Sequence, residues 1–365
     1  MRMVDFDKAP FLTIWETTQA CALACRHCRA SARPWRDPRE LTTEEGERLI
    51  ASIAAMGTPL LVLSGGDPAS RPDLPELVRF AKSQGLRTAT IPAATATLDE
   101  ATIVALKEAG LDQMALSLEF CDAARHDAFR GVPGAFAKTV QAAGWARAAG
   151  LPLQINTTVC GETALHLETM AELVDELGVV FWEVFFLIPM GRGRDLGALS
   201  ASQCERLFDT LYRAQKKGKF IVKVTEAPHY RRHVFQRERE DRSGGRPHSV
   251  QMPAMLTTSE GPGHTVGLAP RGVNAGKGFL FVSHVGDIHP SGFLPLPAGN
   301  VRDLDVGDVY RASDLFRKLR NPEDLKGRCG RCEFREICGG SRARAFALTG
   351  DAFETDPWCA YEPAS

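Results

Sequence analysis

Three cysteines close together are the residues of this 365-residue chain whose types and spacing most clearly indicate chemistry. Cys21, Cys25 and Cys28 follow a strand-like run at residues 11–15 and precede a basic segment. Thiolates bind the irons of iron-sulfur clusters, and four would complete the ligand shell of a 4Fe-4S cluster. Because the next cysteine is Cys121, one iron would keep an open position, which is where a substrate or cofactor binds in a catalytic metal site.

A zinc site, a disulfide or a chance grouping could also account for the cysteines of this loop. A closed zinc site needs a fourth ligand and usually has paired Cys-x-x-Cys knuckles. His27 is a candidate fourth ligand, although it points away from its neighbours if Cys25 and Cys28 both face the metal. The spacing therefore favours a cluster and leaves zinc open.

A second set of four cysteines lies near the C-terminal end. The set has a Cys-x2-Cys-x5-Cys core and one later member, and consists of Cys329, Cys332, Cys338 and Cys359. Four thiolates can bind either zinc or a 4Fe-4S cluster with no open iron, and the spacing alone does not distinguish the two. The isolated cysteines between the two sets are predicted to be small buried hydrophobic residues.

The composition is that of a globular protein without a strong charge. The formal net charge is −1, with 44% hydrophobic and 24% charged residues. This charge makes neither nucleic acid nor an anionic membrane an expected partner. The acidic N-terminal segment does not resemble a secretory signal, and the longest apolar run, at residues 179–190, is too short to cross a bilayer. We therefore expect a cytoplasmic protein. The reducing conditions of that compartment would keep its ten cysteines as thiols.

Alternating strands and helices are predicted over residues 11–225. The run at residues 59–64 is apolar on both faces and ends at glycines, as expected of a buried parallel strand. Repeated parallel βα units predict an α/β fold, namely a partial (β/α)6 TIM-like barrel. Chemistry in such barrels takes place at the C-terminal ends of the strands, which is where the first cysteine set lies.

Two further segments are predicted after the barrel domain, which spans residues 1–225. Residues 226–270 are dense in charge and then rich in glycine and serine, which predicts a linker or insert. Residues 271–365 contain a predicted hairpin at 278–290 and the second cysteine set. We therefore expect a small C-terminal metal-binding domain, which is an iron-sulfur domain if the second cysteine set binds a cluster.

The first cysteine motif, at this place in a barrel, resembles that of the radical S-adenosylmethionine (radical SAM) enzymes. In that family the open iron chelates the amine and carboxylate of SAM, and the reduced cluster cleaves the sulfonium to give a 5'-deoxyadenosyl radical. The resemblance implies SAM as cofactor and a low-potential electron donor of the flavodoxin or ferredoxin type. The residue before the last cysteine is often aromatic in the family, and here it is His27.

Residues at other strand ends extend this resemblance to cofactor binding. The turn from Gly65 to Pro68 is similar to the family's Gly-Gly-Glu-Pro motif, with Asp67 replacing Glu, and we attribute its glycines to close approach of a ligand. Arg130 is expected to pair with the methionine carboxylate, with an ordinary surface position as the alternative. The residues that the resemblance assigns to SAM are Gly65, Gly66, Asp67, Ser117, Glu119, Arg130, Asn156, Met190 and Gly191.

The C-terminal cysteines resemble the SPASM domain that is appended to many radical SAM enzymes. This resemblance favours a cluster over zinc at the second set. A full SPASM domain has two auxiliary clusters, but Val273, Ser291 and Arg342 stand where three ligands of one of them are expected. The chain is therefore predicted to have a degenerate SPASM domain with one auxiliary cluster, and two 4Fe-4S clusters in total.

The resemblance implies hydrogen abstraction from a substrate C–H bond by an oxidoreductase or lyase-type enzyme. Relatives with this layout modify either peptides and proteins or the propionate side chains of haem-like tetrapyrroles. Peptide-modifying members often have an additional N-terminal domain, whereas the first strand here begins by about Phe11; this favours a tetrapyrrole or another small molecule. A non-catalytic iron-sulfur or zinc scaffold, or a redox sensor, is the remaining alternative.

Candidate substrate contacts follow the last barrel strand and the second cysteine set. Glu226, His229 and Tyr230 are expected at the catalytic rim and are candidate catalytic residues. Arg342 and Arg344 are candidates for binding substrate carboxylates. Arg342 alternatively fills the space of the missing cluster ligand.

Overall fold

The structure, a computed structural model, describes residues 4–243 and 272–364. Its centre is a ten-stranded sheet. In chain order the strands are β1 (Leu12–Glu16), β2 (Leu60–Ser64), β3 (Arg87–Thr90), β4 (Gln113–Ser117), β5 (Leu153–Val159), β6 (Phe181–Phe186), β7 (Ile221–Thr225), β8 (Phe279–Val282), β9 (Asp287–His289) and β10 (Gly299–Asn300).

Helices alternate with the first seven strands and continue into the C-terminal part of the chain. They are α1 (Thr43–Met56), α2 (Leu74–Ser83), α3 (Glu100–Glu108), α4 (Ala123–Arg130), α5 (Ala135–Ala148), α6 (Leu167–Glu176), α7 (Ala201–Lys217), α8 (His229–Ser243), α9 (Val306–Ala312), α10 (Asp314–Arg320), α11 (Gly327–Arg331) and α12 (Arg342–Thr349). None of the helices in the described ranges is long and apolar enough to cross a membrane.

The first seven strands form the predicted partial barrel. β1 to β7 lie side by side in chain order, and each pairs in parallel with the next. The sheet does not close, because β7 forms one edge and β10 the other. The parallel arrangement places the C-terminal ends of these strands along one rim, where barrel enzymes carry their active sites.

Local sequence signals explain where the helices begin and end. Thr42 and Glu45 form a capping box at the start of α1, and Ser200 and Gln203 form another at the start of α7. Each box supplies partners for backbone N–H groups that the helix itself leaves unpaired. Gly57 ends α1 in the left-handed conformation, with φ of 95°.

The C-terminal hairpin belongs to the same sheet as the barrel. β8 and β9 form the predicted antiparallel hairpin, and β8 also pairs in parallel with β1, with Leu12 opposite Phe279. The barrel and the C-terminal residues therefore share one hydrogen-bonded sheet. Sequence patterns predicted the hairpin but not its partner strand.

One part of the predicted linker is helical. Residues 229–243 form α8, which packs on α7 through contacts such as that between the rings of Tyr230 and Phe208. Its charged residues outnumber its apolar ones, so the helical period of the apolar residues is weak in the sequence. The rest of the predicted linker from residue 244 onwards lies outside the described residues, and the domain boundaries stay a prediction.

Candidate active site

The first cysteine set lies on an irregular loop that follows β1 at the C-terminal rim of the barrel. Cys21 and Cys25 are buried, and Cys28 is half-buried. The backbone N–H of Leu23 donates to the sulfur of Cys21, and that of Ala32 donates to the sulfur of Cys28, each over 3.4 Å. Hydrogen bonds to cysteine sulfurs tune the potentials of iron-sulfur clusters, so the loop fits such a group.

The electrostatics of the loop also fit a bound cluster. Burial raises the pKa of Cys21 to about 11 and also raises the pKa of Cys25. Within the described residues the Nη2 atom of Arg192 is buried without a hydrogen-bond partner, and the Arg192 charge acts to lower the pKa of Cys25. Buried thiols beside an unpaired cationic donor suit a metal group, because bound iron would stabilise their thiolate form.

The glycines of the turn after β2 hold the start of the cysteine loop. A Cβ atom on Gly65 would lie 2.4 Å from the carbonyl oxygen of Thr18, and one on Gly66 would lie 2.5 Å from that of Ala20. The Gly66 N–H also donates to the Thr18 carbonyl over 2.7 Å. Contact between two backbone segments is therefore sufficient to require glycine at both positions. Their contact with SAM stays a prediction.

Two further glycines hold the loop from other sides. A Cβ atom on Gly131, which follows α4, would lie 2.8 Å from the carbonyl oxygen of Ala24, and one on Gly191 would lie 2.5 Å from that of Cys28. Both have positive φ, 74° and 54° respectively, which favours glycine. We refer to the four close approaches as the glycine cradle, formed by Gly65, Gly66, Gly131 and Gly191.

Arg192 fastens the same loop through hydrogen bonds to three carbonyl oxygens. Its backbone N–H donates to Cys28 over 3.1 Å, its Nε to Cys25 over 2.9 Å and its Nη1 to Ala32 over 3.1 Å. Sequence reasoning gave functions only to Met190 and Gly191 in this segment. The signal for Arg192 was its place between two glycines at the end of a barrel strand, and its contacts make it a positioning residue.

The carboxylate of Asp67 is fully engaged within the protein. It accepts the N–H groups of Ala69 and Ala93 over 3.1 Å each, and the hydroxyls of Thr95 and Thr97 over 2.8 Å each. Burial raises its pKa, although these donors act in the opposite direction. Asp67 thus joins the turn after β2 to the loop after β3. A contact between its side chain and SAM stays a prediction.

Glu119 lies at the centre of a buried polar group beside the cysteine loop. Its carboxylate accepts the Thr158 N–H over 2.7 Å and lies 3.4 Å from Nε2 of His27 and 3.5 Å from Nη1 of Arg130. Burial raises the pKa of Glu119 to about 7, against the opposing effect of Arg130. His27 stacks on Phe129 with ring centroids 4.9 Å apart. The structure therefore brings Glu119 and Arg130 together.

The other residues assigned to SAM lie on neighbouring elements. Ser117 and Asn156 are opposite each other in the pairing of β4 with β5. The side-chain oxygen of Asn156 accepts a hydrogen bond from Gln154 over 2.7 Å. Met190 packs on a hydrophobic cluster that contains Leu294. The contacts of these residues with SAM stay predictions.

The second cysteine set lines one cavity, which His229 shares. The Gly340 N–H donates to the sulfur of Cys338 over 3.4 Å, and Nη2 of Arg342 donates to that of Cys329 over 3.6 Å. Burial raises the pKa of Cys338 to about 12. Thiols around one cavity, with N–H donors at two of the sulfurs, fit a fully ligated cluster. The four cysteines that line the cavity are Cys329, Cys332, Cys338 and Cys359.

Protein contacts occupy the three positions where the family's other auxiliary cluster has ligands. Val273 packs in a small hydrophobic cluster, and the hydroxyl of Ser291 donates to Glu226 over 3.5 Å. Nη1 of Arg342 donates to two backbone carbonyl oxygens over 2.8 Å each. These contacts agree with the prediction that Arg342 fills the space of a missing ligand.

Arg342 and Arg344, the candidates for binding substrate carboxylates, are both buried within the C-terminal part of the protein. Arg344 lies 3.2 Å from the Asp356 carboxylate and donates to the backbone carbonyl of Glu226 over 2.6 Å. Its guanidinium also stacks 4.1 Å from the ring centre of Trp358. These contacts favour structural roles, and a contact of either arginine with a substrate carboxylate stays a prediction.

Of the candidate substrate contacts after β7, His229 and Tyr230 are buried and Glu226 is half-buried. Glu226 has a φ of 59°, and burial raises the pKa of its carboxyl. His229 lies 3.7 Å from Asp356, and burial lowers its pKa to about 4. Tyr230 packs on Phe208, and its hydroxyl has no hydrogen-bond partner within the described residues. This placement favours positioning roles, and a catalytic role for the three residues stays a prediction.

Polar and charged side chains that the sequence did not single out line the inner face of the barrel. Glu183 of β6 accepts the hydroxyl of Thr225 over 2.6 Å and lies 3.4 Å from Nζ of Lys223. Arg29, the residue after Cys28, lies over the ring of Phe281 in β8. The alternation of polar and apolar residues along the strands was the available signal for such side chains, because every second residue of a strand faces the same side of a sheet.

Comparisons with known proteins agree with this geometry. The Radical SAM superfamily model matches residues 15–174. The chain is 40% identical over 362 residues to the AdoMet-dependent heme synthase of Methanosarcina barkeri (strain Fusaro / DSM 804), covering 99% of each chain. It is 29% identical over 371 residues to the PqqA peptide cyclase of Granulibacter bethesdensis (strain ATCC BAA-1260 / CGDNIH1), covering 97% of this chain and 88% of that protein. The crystal structure of Streptococcus suis SuiB bound to S-adenosylmethionine shares the fold, with a TM-score of 0.70, 16% identity, and coverage of 97% and 78% of the two chains.

Proposed function

Because this chain belongs to the radical SAM superfamily, we propose that it converts propionate side chains of a haem-like tetrapyrrole to vinyl groups in haem biosynthesis. The observation that carries this proposal is the 40% identity to a heme synthase along 99% of both chains. The peptide cyclase is more distant, at 29%. Haem differs from iron coproporphyrin in having two vinyl groups where the latter has propionates, which defines the class of reaction.

The chemistry of this conversion can be balanced atom by atom. SAM at the open iron of the first cluster would supply the 5'-deoxyadenosyl radical, which takes one hydrogen atom from the propionate carbon attached to the ring. Loss of carbon dioxide and of one electron from the substrate radical then leaves the vinyl group. Each vinyl group therefore consumes one SAM, releases one carbon dioxide and requires an acceptor for one electron.

The residues of the two cysteine sets supply the sites that this balance requires. Cys21, Cys25 and Cys28 would hold the first cluster, and the glycine cradle and Arg192 position their loop. The four C-terminal cysteines would hold a second cluster as the one-electron acceptor, because a fully ligated cluster relays electrons without binding substrate. The protein contacts of Val273, Ser291 and Arg342 support a total of two clusters.

The remaining parts of the proposal concern the cofactor site and the source of electrons. Glu119 and Arg130 lie 3.5 Å apart, and Glu119 lies 3.4 Å from His27 of the first cysteine loop. We assign both residues to the methionine part of SAM. The electron that starts each cycle comes from a low-potential donor of the flavodoxin or ferredoxin type. A reducing cytoplasm would keep both cysteine sets available for iron.

Anaerobic turnover of the reconstituted protein tests this function. The protein is incubated with dithionite, SAM and iron coproporphyrin III, and 5'-deoxyadenosine and porphyrin products are measured by mass spectrometry. We expect products that have lost one and then two carboxyl groups, with one 5'-deoxyadenosine formed for each. The Cys25→Ser variant is the control and should form neither product. Formation of 5'-deoxyadenosine without any loss of carboxyl groups would point to another substrate, such as a peptide.

A further inference from the structure

Arg29 combines a position beside the first cysteine set with hydrogen-bond donors that the protein does not use. Within the described residues its guanidinium makes a single hydrogen bond, from Nη2 to Oε1 of Glu16 over 2.5 Å. The side chain is 24% exposed, whereas that of Glu16 is 2% exposed. The Nε and Nη1 edge of the guanidinium therefore remains available to a ligand. A carboxylate is the group that the planar fork of arginine donors matches best.

Aromatic rings frame the Arg29 guanidinium. Its Cζ atom lies 4.8 Å from the ring centre of Phe281 in β8 and 5.9 Å from that of Phe293 in the loop after β9. Phe293 in turn lies 6.4 Å from Phe185 of β6. A Cβ atom on Gly292 would lie 3.0 Å from the Phe281 ring and 3.3 Å from Cζ of Arg29. Gly292 thus lets the loop approach closely, and the rings give an apolar surface that a flat macrocycle could contact.

Glu16 orients the guanidinium and is itself held from its other side. Its Oε2 atom lies 3.1 Å from Nδ1 of His284. Burial acts to raise the pKa of Glu16, but Arg29 and His284 lower it to about 2, so the carboxylate is ionised. Because Glu16 is shared between Arg29 and His284, it fixes one edge of the guanidinium and leaves the other edge to a second carboxylate.

We propose that Arg29, framed by Phe281 and Phe293, binds a propionate carboxylate of the tetrapyrrole and so places that substrate beside the first cysteine set. This inference deepens the proposed function and rests on it. The position is suited to the chemistry, because Arg29 follows Cys28 directly in the chain. A substrate anchored here would be held by the same loop that carries the cluster ligands.

A purely structural role is the competing interpretation, since Arg29 also connects β1 to the hairpin of β8 and β9. The two interpretations differ in what they predict for ligands with and without carboxylates. A structural arginine would affect all ligands of the site alike. A carboxylate anchor would affect only those ligands that carry the negative charge.

Binding of coproporphyrin III and of its neutral tetra-propionamide separates the two interpretations. Affinities are measured by fluorescence anisotropy on the reconstituted protein for wild type, Arg29→Gln, Arg29→Lys and the control Arg26→Gln. Arg26 lies in the same loop but pairs with Glu162 at the surface over 2.7 Å. Iron content and the melting temperature are determined for every variant. If Arg29→Gln loses its cluster, Arg29→Lys becomes the test variant, because it retains the positive charge.

We expect Arg29→Gln to weaken coproporphyrin III binding by about 10- to 100-fold, the range for loss of a hydrogen bond to a charged group. Its affinity for the tetra-amide should stay within about twofold of wild type, as should both affinities of Arg26→Gln. Arg29→Lys should fall between wild type and Arg29→Gln for coproporphyrin III.

Measuring the binding of both porphyrins distinguishes failure of this proposal from failure of the proposed function. Equal weakening of both ligands by Arg29→Gln, or no weakening of either, overturns the anchor alone. If wild type binds neither porphyrin, the tetrapyrrole function is overturned, and the anchor falls with it.

Discussion

Replacing Gly191 with alanine tests whether the glycine cradle holds the first cysteine loop. The new Cβ atom would lie 2.5 Å from the carbonyl oxygen of Cys28 and 2.4 Å from that of Arg29. Because such contacts are essentially never shorter than 3.0 Å, the two backbones must separate by about 0.5 Å. That separation would strain the Arg192 hydrogen bond to the Cys28 carbonyl, which is 3.1 Å long. We therefore expect the first cysteine set to lose its geometry.

A control variant separates the steric loss of unfolding free energy at Gly191 from the loss caused by placing alanine in the left-handed backbone conformation. Gly150 has a φ of 64°, close to the 54° of Gly191, but among the described residues no atom beyond its chain neighbours lies within 4 Å of a Cβ placed on it. Both alanine variants should lose about 1–2 kcal/mol of unfolding free energy because of the left-handed conformation. The steric overlap at Gly191 should add about 1–3 kcal/mol. Gly150→Ala is thus the matched control.

The assay compares both variants after anaerobic reconstitution. Thermal unfolding reports stability, and iron analysis with electron paramagnetic resonance of the reduced protein reports each cluster. We expect Gly191→Ala to fall from about eight irons per chain towards about four, with the auxiliary signal retained, and Gly150→Ala to keep both. Equal melting temperatures and equal iron content in the two variants would refute the reasoning.

Three other predictions address the second cysteine set, pH dependence and a buried ion pair. Cys332→Ser should lower the iron content from about eight to about four per chain and prevent vinyl formation while SAM cleavage persists. If the variant forms as much vinyl product as the wild type, the second set is not the electron acceptor. If the wild type holds about twelve irons per chain, the two-cluster assignment is wrong. Burial raises the pKa of Glu119 to about 7 from an ordinary value of 4.5, so wild-type stability should fall as the pH rises between these values. The melting temperature of Glu119→Gln should therefore gain on wild type from pH 5 to pH 7.5, and a constant difference would exclude this titration. Arg344→Met should lower the unfolding free energy by about 3–5 kcal/mol, because it leaves Asp356 buried without its partner, and calorimetry showing a smaller loss than 1 kcal/mol would disprove the pairing.

The barrel could be predicted from the sequence because its signals are local. Strands such as β2 are short apolar runs that end at a turn, and helices such as α1 have an apolar period and a side-chain cap, which Thr42 and Glu45 form there. The pairing of β8 with β1 could not be predicted, because it joins Leu12 to Phe279 without any local signal. Helix α8 was missed for a related reason, since packing against α7 stabilises it more than its own highly charged sequence does.

The two cysteine sets of the candidate site could be recognised in the sequence, whereas the contacts that support them could not, and their role as cluster ligands stays a prediction. Cysteine spacing identified both sets, since the chemistry of thiolates limits the kinds of site that several closely spaced cysteines can form. The contacts that hold the loop come from distant segments, and a sequence gives no distance between Gly191 and Cys28. Asp67 shows the same limit, because its position suggested a ligand contact whereas its carboxylate accepts four hydrogen bonds from the protein.

The C-terminal residues contact both sides of the open barrel, and this has a consequence for electron transfer. β8 extends the sheet beside β1, while Nη2 of Arg344 donates to the backbone carbonyls of Phe186, at the end of β6, and Glu226, just after β7. The segment that carries the second cysteine set is therefore attached at the first strand and at the last two. In the reaction that we propose, a substrate radical formed at the rim would lose one electron to a cluster in the second cysteine set, over a distance that the fold determines. Attachment at both sides fixes that distance more firmly than a flexible linker would, because any shift of the second set would break hydrogen bonds at β1, β6 and β7 together.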